Sequence, residues 1–234
     1  MIKNVIHVNE LEVEVVRKNI KNIHLAVYPP DAKVTIAAPD KYSLEDLKFF
    51  ALSKLNWITK NRKIIQNQNR IPPKEFVTGE SHYLFGKRYR LFVEEADKAG
   101  VDCNGINKIF LFVPHGADLE VRKKILENWY RKQLRDKLDT LFPLWEKRTG
   151  LYASSWQIRK MKTKWGSCKV ERKAVYLNLE LAKTPVKNIE YIILHELLHL
   201  HERTHNQNFT SLLDKFMPNW KLYKEDLNSI TFEG

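Results

Sequence analysis

The sequence predicts an α+β fold, with a β-rich N-terminal half at residues 1–115 and a second, helix-bearing half at residues 116–234. Three observations predict it. Short runs of strand character fill the region before residue 115. A long helical stripe begins near Asp118. A second helix, apolar on nearly every side, runs through Ile189–Leu200. With 234 residues, 43% of them hydrophobic, the chain can bury a sizeable core. The two halves are expected to pack as one unit spanning about 15–225.

His24–Tyr28 and Lys33–Ala37, separated by Pro29-Pro30-Asp31-Ala32, read as a hairpin. Ser43 with Asp46 three residues later is close to a capping box. It opens a helix through Leu47, Phe50, Leu55 and Ile58. Pro72-Pro73 is the best linker candidate. Strands follow at Tyr83–Phe85, Tyr89–Val93 and Ile109–Val113, with Gly86-Lys87 turning the first pair. The helix from about Asp118 carries Ile125, Trp129, Leu134, Leu138, Leu141 and Phe142, and Pro143 is expected to end it. Two more strands, Trp156–Met161 and Ala174–Leu179, precede a helix capped by Thr184 and opened by Pro185. A further helix carries Phe209, Leu212, Leu213 and Phe216 at helical spacing and stops at Met217-Pro218.

Composition excludes several classes. No segment is long and apolar enough to span a membrane. The first residues, Met1-Ile2-Lys3-Asn4-Val5, lack the apolar stretch of a secretory signal. Two cysteines, Cys103 and Cys168, make no disulfide framework, so a cytoplasmic location is expected. Nothing in the sequence speaks to oligomeric state.

The chemistry concentrates in His195-Glu196-Leu197-Leu198-His199. Residues four apart share one helix face, so His195 and His199 can aim two imidazole nitrogens at one metal ion. Glu196 sits about a quarter-turn round, within reach of a water on that metal. Two or three imidazoles plus an open position is the donor set of a catalytic zinc. Zinc lowers the pKa of bound water toward 7, and the carboxylate takes its proton. Imidazoles and a carboxylate in so apolar a helix would be costly unless paired or metal-bound. The alternative is two core histidines satisfied by hydrogen bonds.

Two residues compete to be the third ligand. In an unbroken helix His205 would lie about 100° off the ligand face and roughly 9 Å further along. It can ligate only if the helix stops between His199 and His201. In a continued helix Glu202 falls on the metal face instead. The turn would have to form without glycine, helped by Thr204, Asn206 and Asn208. His201 points away from the metal face.

Between the last two strands lies Met161-Lys162-Thr163-Lys164-Trp165-Gly166-Ser167-Cys168. Together with Leu177-Asn178, the HExxH run, His205 and Phe209, it resembles the YgjP-like metallohydrolase family. That family is related to the SprT-like and WLM metallopeptidases and groups with the zincins. The resemblance implies a zincin-like C-terminal half, zinc held by His195, His199 and His205, and Glu196 as the catalytic carboxylate. Lys164, Trp165, Gly166, Ser167 and Cys168 are candidates for the substrate cleft, the equal alternative for Trp165 to Cys168 being a tight strand-to-loop turn with a packed tryptophan and a buried thiol. The family pattern often has arginine where this chain has Lys164, and an aromatic where it has Thr210. Asn178 and Glu202 are candidates to orient a ligand imidazole from behind, and Cys168 is a conceivable fourth ligand.

Net charge is +12. Residues 157–173 carry seven bases against one acid, Glu171, and residues 119–137 carry seven against three. Such a surface attracts acidic partners. The leading expectation is a cytoplasmic zinc metallopeptidase acting on a protein or peptide, which an exposed strand beside the metal helix could bind by edge pairing. One alternative is a metal-dependent nucleotide phosphohydrolase, with basic clamps on the phosphates. The other is a basic nucleic-acid-binding module whose zinc is structural and closed by four ligands.

Overall fold

A computed structural model of the chain describes residues 3–28, 31–67 and 74–230. It has the mixed α+β character expected and divides into two compact units, Met1–Pro72 and Pro73–Glu233. The linker candidate Pro72-Pro73 and the hairpin residues Pro29-Pro30 lie outside the described residues.

The first unit opens with β1 (Lys3–Val8) and β2 (Leu11–Arg17), followed by β3 (His24–Tyr28) and β4 (Lys33–Ala38). Their order in the sheet is β1-β2-β4-β3. β3 and β4 pair antiparallel, as the hairpin reading requires, while β2 and β4 run parallel. Leu11, Val13 and Val15 alternate inward, the period-2 signature of a strand with one buried face. Helices α1 (Leu44–Ser53) and α2 (Leu55–Asn67) complete the unit. The capping box at α1 is fully formed: the Ser43 N–H donates to Asp46 Oδ2 at 2.8 Å, and the Asp46 N–H donates to Ser43 Oγ at 3.1 Å. Leu47, Ala51 and Ile58 then pack on Val13, Val34 and Ile36 in a core belonging to this unit.

The second unit begins with β5 (Ser81–Leu84), β6 (Lys87–Glu95), β7 (Gly100–Cys103) and β8 (Lys108–Val113), ordered β5-β6-β8-β7. The long α3 (Leu119–Thr149) follows, then β9 (Ser155–Arg159), β10 (Gly166–Lys169) and β11 (Ala174–Asn178) in the order β10-β11-β9. Three helices close it: α4 (Val186–Leu198), α5 (Gln207–Phe216) and α6 (Trp220–Ser229). The two compact units meet between residues 72 and 73. The cause is packing: Leu91, Ile109 and Leu111 of the β5–β8 sheet share one core with Leu134 of α3 and Ile193 and Leu197 of α4.

Three local expectations are corrected. The β5–β6 turn is Phe85-Gly86, both at positive φ (49° and 81°), and Lys87 already pairs with Leu84. Both central residues at positive φ suit the twist of a two-residue hairpin. Pro143 does not end α3, which runs to Thr149 and stops at Gly150 in the left-handed region. Pro143 is exposed, whereas Leu141, Phe142 and Trp145 beside it are buried. Burying three such side chains contributes roughly 5 kcal/mol or more, against about 3 kcal/mol for an interior proline. Finally, α4 is preceded by Pro185 as its cap residue, not Thr184, whose hydroxyl donates back to the Leu181 carbonyl.

The β5–β6 turn fixes where α4 begins. The Phe85 N–H donates to the Ala182 carbonyl at 2.8 Å and the Gly86 N–H to the Lys183 carbonyl at 3.2 Å. A Cβ at Gly86 would lie 2.8 Å from Pro185 Cγ. Among the described residues no helix is long and apolar enough to cross a membrane.

Candidate metal centre

Helix α4 delivers His195 and Glu196 on its last turn and ends at Leu198, with His199 as its C-cap. The chain leaves the helix without glycine. The N–H groups of Leu200 and His201 donate back to the Leu197 and Leu198 carbonyls at 2.9 and 3.0 Å. Asn206 then caps α5, its side-chain oxygen accepting the Phe209 N–H at 3.0 Å. The stop that the His205 alternative demands is therefore present, and the polar residues of the turn produce it.

This turn brings three imidazoles together. His205 Nε2 lies 3.0 Å from His195 Nε2 and 3.1 Å from His199 Nε2. Ligand atoms about 2.05 Å from a tetrahedral centre stand roughly 3.3 Å apart, so the cluster fits a zinc-sized ion. Among the described residues these three form the grouped donor set, their ligand atoms all within 4.8 Å. Glu202 is not part of it. Its carboxylate turns to Thr204, at 3.2 Å from the hydroxyl. It does serve the site from behind, but through its main chain: the Glu202 carbonyl lies 3.1 Å from His199 Nδ1. That contact puts the proton on Nδ1 and leaves Nε2 free to ligate.

Burial tunes the charges. His195 is held neutral, its pKa lowered to about 3 by desolvation and then by the other two imidazoles. His199 is lowered as well, chiefly by burial. Glu196 is 4% exposed, and burial raises its carboxyl to about 8, opposed by the ammonium of Lys164. The carboxylate lies against β10: a Cβ at Gly166 would stand 2.6 Å from Glu196 Oε1 and 2.8 Å from Ile192 Cγ2. Only glycine lets the strand approach this closely.

Two further aromatic side chains pack against the imidazoles, Phe209 from the stripe that also carries the resemblance and Tyr191 from the apolar face of α4. The Phe209 ring, 2% exposed, lies 5.0, 4.9 and 4.8 Å from the rings of His195, His199 and His205. It is the floor on which all three imidazoles rest. Tyr191, one turn before His195, meets that ring edge-on at 5.8 Å. Its apolar helical spacing hid it, and the only signal was its place four residues before a ligand candidate.

The family model for the YgjP-like metallopeptidase domain matches residues 21–230. The chain belongs to the YgjP-like family. Two solved structures are similar at a low level. The metallopeptidase zymogen of Pyrococcus abyssi abylysin is 20% identical, with a TM-score of 0.36, over 38% of this chain and 90% of that one. The metallopeptidase zymogen of Methanocaldococcus jannaschii jannalysin is 20% identical, with a TM-score of 0.33, over 40% and 91%. No curated protein matches the chain.

The remaining candidates of this YgjP-like chain sit on or beside β10. Gly166 and, by alternation, Cys168 face the Glu196 side, while Ser167 and Lys169 face the other. Cys168 is outside the histidine cluster, and burial, with Glu196 next, pushes its thiol to about 11, so it stays protonated. Trp165 is half-buried against the core and its carbonyl accepts the Asn178 N–H at 2.8 Å. Asn178 does not orient an imidazole. Fully buried, it donates to the Met161 and Lys164 carbonyls, both at 2.8 Å, and so holds the loop that carries Lys164.

Proposed function

We propose that the chain is a zinc-dependent metallopeptidase in which His195, His199 and His205 hold the ion and Glu196 handles the proton. The convergence of three Nε2 atoms beside a buried carboxylate carries this reading. A bound zinc ion would supply Lewis acidity toward water and toward a carbonyl oxygen. Glu196 accepts the proton of the attacking water at its carboxylate and returns it to the leaving amine. Its burial beside Gly166 excludes bulk water and places it next to the strand where substrate would lie. β10 is an edge strand, so its main-chain groups from Gly166 to Lys169 can pair with an extended peptide. The positive charge of Lys164 acts on Glu196 and would stabilise negative charge developing on the substrate carbonyl. Trp165, Ser167 and Cys168 line the same stretch.

The structural-zinc alternative needs a fourth protein ligand. Among the described residues the cluster stops at three, and its obvious extension, Cys168, lies outside it. Cys103 and Cys168 are both free thiols, which suits a reducing cytoplasm.

The test pairs metal content with turnover. Wild type should carry about one zinc per chain and cleave an unfolded protein substrate. His199→Ala should lose the metal, and Glu196→Gln should keep it while losing turnover by about a hundredfold or more. Wild-type turnover in Glu196→Gln would remove Glu196 from the mechanism.

A further inference from the structure

The surface on either side of β10 is strongly basic. Lys162 and Lys164 stand exposed just before the strand, and Lys169, Arg172 and Lys173 stand exposed at its end and in the turn to β11. Acidic groups on the facing elements are few and already engaged. Glu171, in that turn, is paired with Arg203 of the histidine loop at 3.6 Å. Glu202 is turned to Thr204. From α6, Lys224 adds positive charge on the His195 side. A chain laid along the free edge of β10 would therefore meet exposed bases at both ends of the strand, with Glu196 between them.

We infer that the cleft selects extended acidic peptide segments, read by Lys162 and Lys164 on one side of β10 and by Lys169, Arg172 and Lys173 on the other. The inference rests on the metallopeptidase reading and adds the substrate class. A peptide fits this place better than a nucleic acid. The edge of β10 offers main-chain N–H and C=O groups in a ladder that another peptide backbone complements and a phosphodiester chain does not. The aromatic side chains beside it, Trp165 and Tyr176, are half-buried and buried, so neither is an open platform for stacking bases.

The experiment measures binding by zinc-loaded Glu196→Gln, so that turnover is not needed. The probes are short fluorescent peptides of equal length, one rich in Asp and Glu, one neutral and one rich in Lys, with a single-stranded oligonucleotide alongside. The acidic peptide should bind about tenfold tighter than the neutral one at low salt, with the preference shrinking as salt rises. Adding Lys162→Glu and Lys169→Glu should erase the preference and leave neutral-peptide binding as it was. Equal binding of acidic and neutral peptides overturns the inference alone. So does a preference that survives the double charge reversal. Binding by no peptide overturns the peptidase reading and this inference with it. An oligonucleotide that binds tighter than the acidic peptide and loses binding on charge reversal overturns it in favour of a nucleic-acid surface.

Discussion

Gly166 sets how close the edge strand comes to the Glu196 carboxylate, so it is the residue whose smallest enlargement should matter most. In Gly166→Ala the new methyl would overlap Glu196 Oε1, Glu196 Cγ and Ile192 Cγ2, all within 2.9 Å. Overpacking of this kind costs about 1–3 kcal/mol. Denaturant titration should read that loss, and peptide turnover should fall further than stability does because Glu196 is displaced. Wild-type turnover in the variant would mean the strand and carboxylate are not functionally coupled. Glu196 also has a pH signature in metal-free protein. Its folded pKa, about 8, lies above the usual carboxylate value, so its stabilising contribution is complete at low pH and is lost as pH rises through 8. His195 acts oppositely: lowered to about 3, it adds stability as pH rises to its ordinary value of 6.5 and nothing beyond. Between about 6.5 and 8 the Glu196 effect therefore stands alone. Metal-free wild type should lose on the order of 2 kcal/mol across that window, while metal-free Glu196→Gln stays level. A flat wild-type profile would show that Glu196 is ionised at neutral pH without metal. The spacing of His195 and His199 was legible at this scale because helix period alone puts them on one face. The role of Gly166 was not, since it arises from the approach of two elements far apart in sequence.

At the scale of elements, α3 shows both what patterning reveals and where it slips. The helix start at Asp118 follows from its side chain accepting the Val121 N–H at 2.8 Å. The apolar stripe was one residue out in the first turns, where Leu126 and Tyr130 are buried and Ile125 and Trp129 only flank the core. A helix with apolar residues at adjacent positions cannot declare which of them faces inward until its partners are known. Pro143 misled for a related reason: a local cost was outweighed by packing on either side. Pro143→Ala should restore a main-chain donor at an exposed position without removing core contacts. The expected gain is about 1–3 kcal/mol, read as a higher melting temperature. An unchanged or lower value would mean that the proline fixes a bend the core needs. β2 and α6 carry readable signals, the alternation of Leu11, Val13 and Val15 and the spacing of Trp220, Tyr223 and Leu227. The Phe85-Gly86 turn is different. Its grip on the start of α4 lies in main-chain hydrogen bonds to Ala182 and Lys183, which no side-chain pattern records.

For the whole molecule, the decisive feature is that the buried side chains fall into two clusters, one within each unit. Each cluster has its own sheet and helices, so each unit has what it needs to unfold as its own cooperative step. The histidine triad belongs to the second unit, on α4 and the loop before α5. A ligand that binds only the folded form raises stability by RT ln(1 + [L]/Kd), which is about 2.7 kcal/mol at a hundredfold excess over Kd. Zinc should therefore raise the unfolding transition of the second unit and leave that of the first in place. Calorimetry on the full chain, with zinc and with a chelator, should resolve two transitions of which one moves. His199→Ala should show the same two transitions with neither responding to zinc. A single transition that shifts as a whole with zinc would mean the two cores unfold together. A response in the first unit's transition would put a metal-binding group outside the triad.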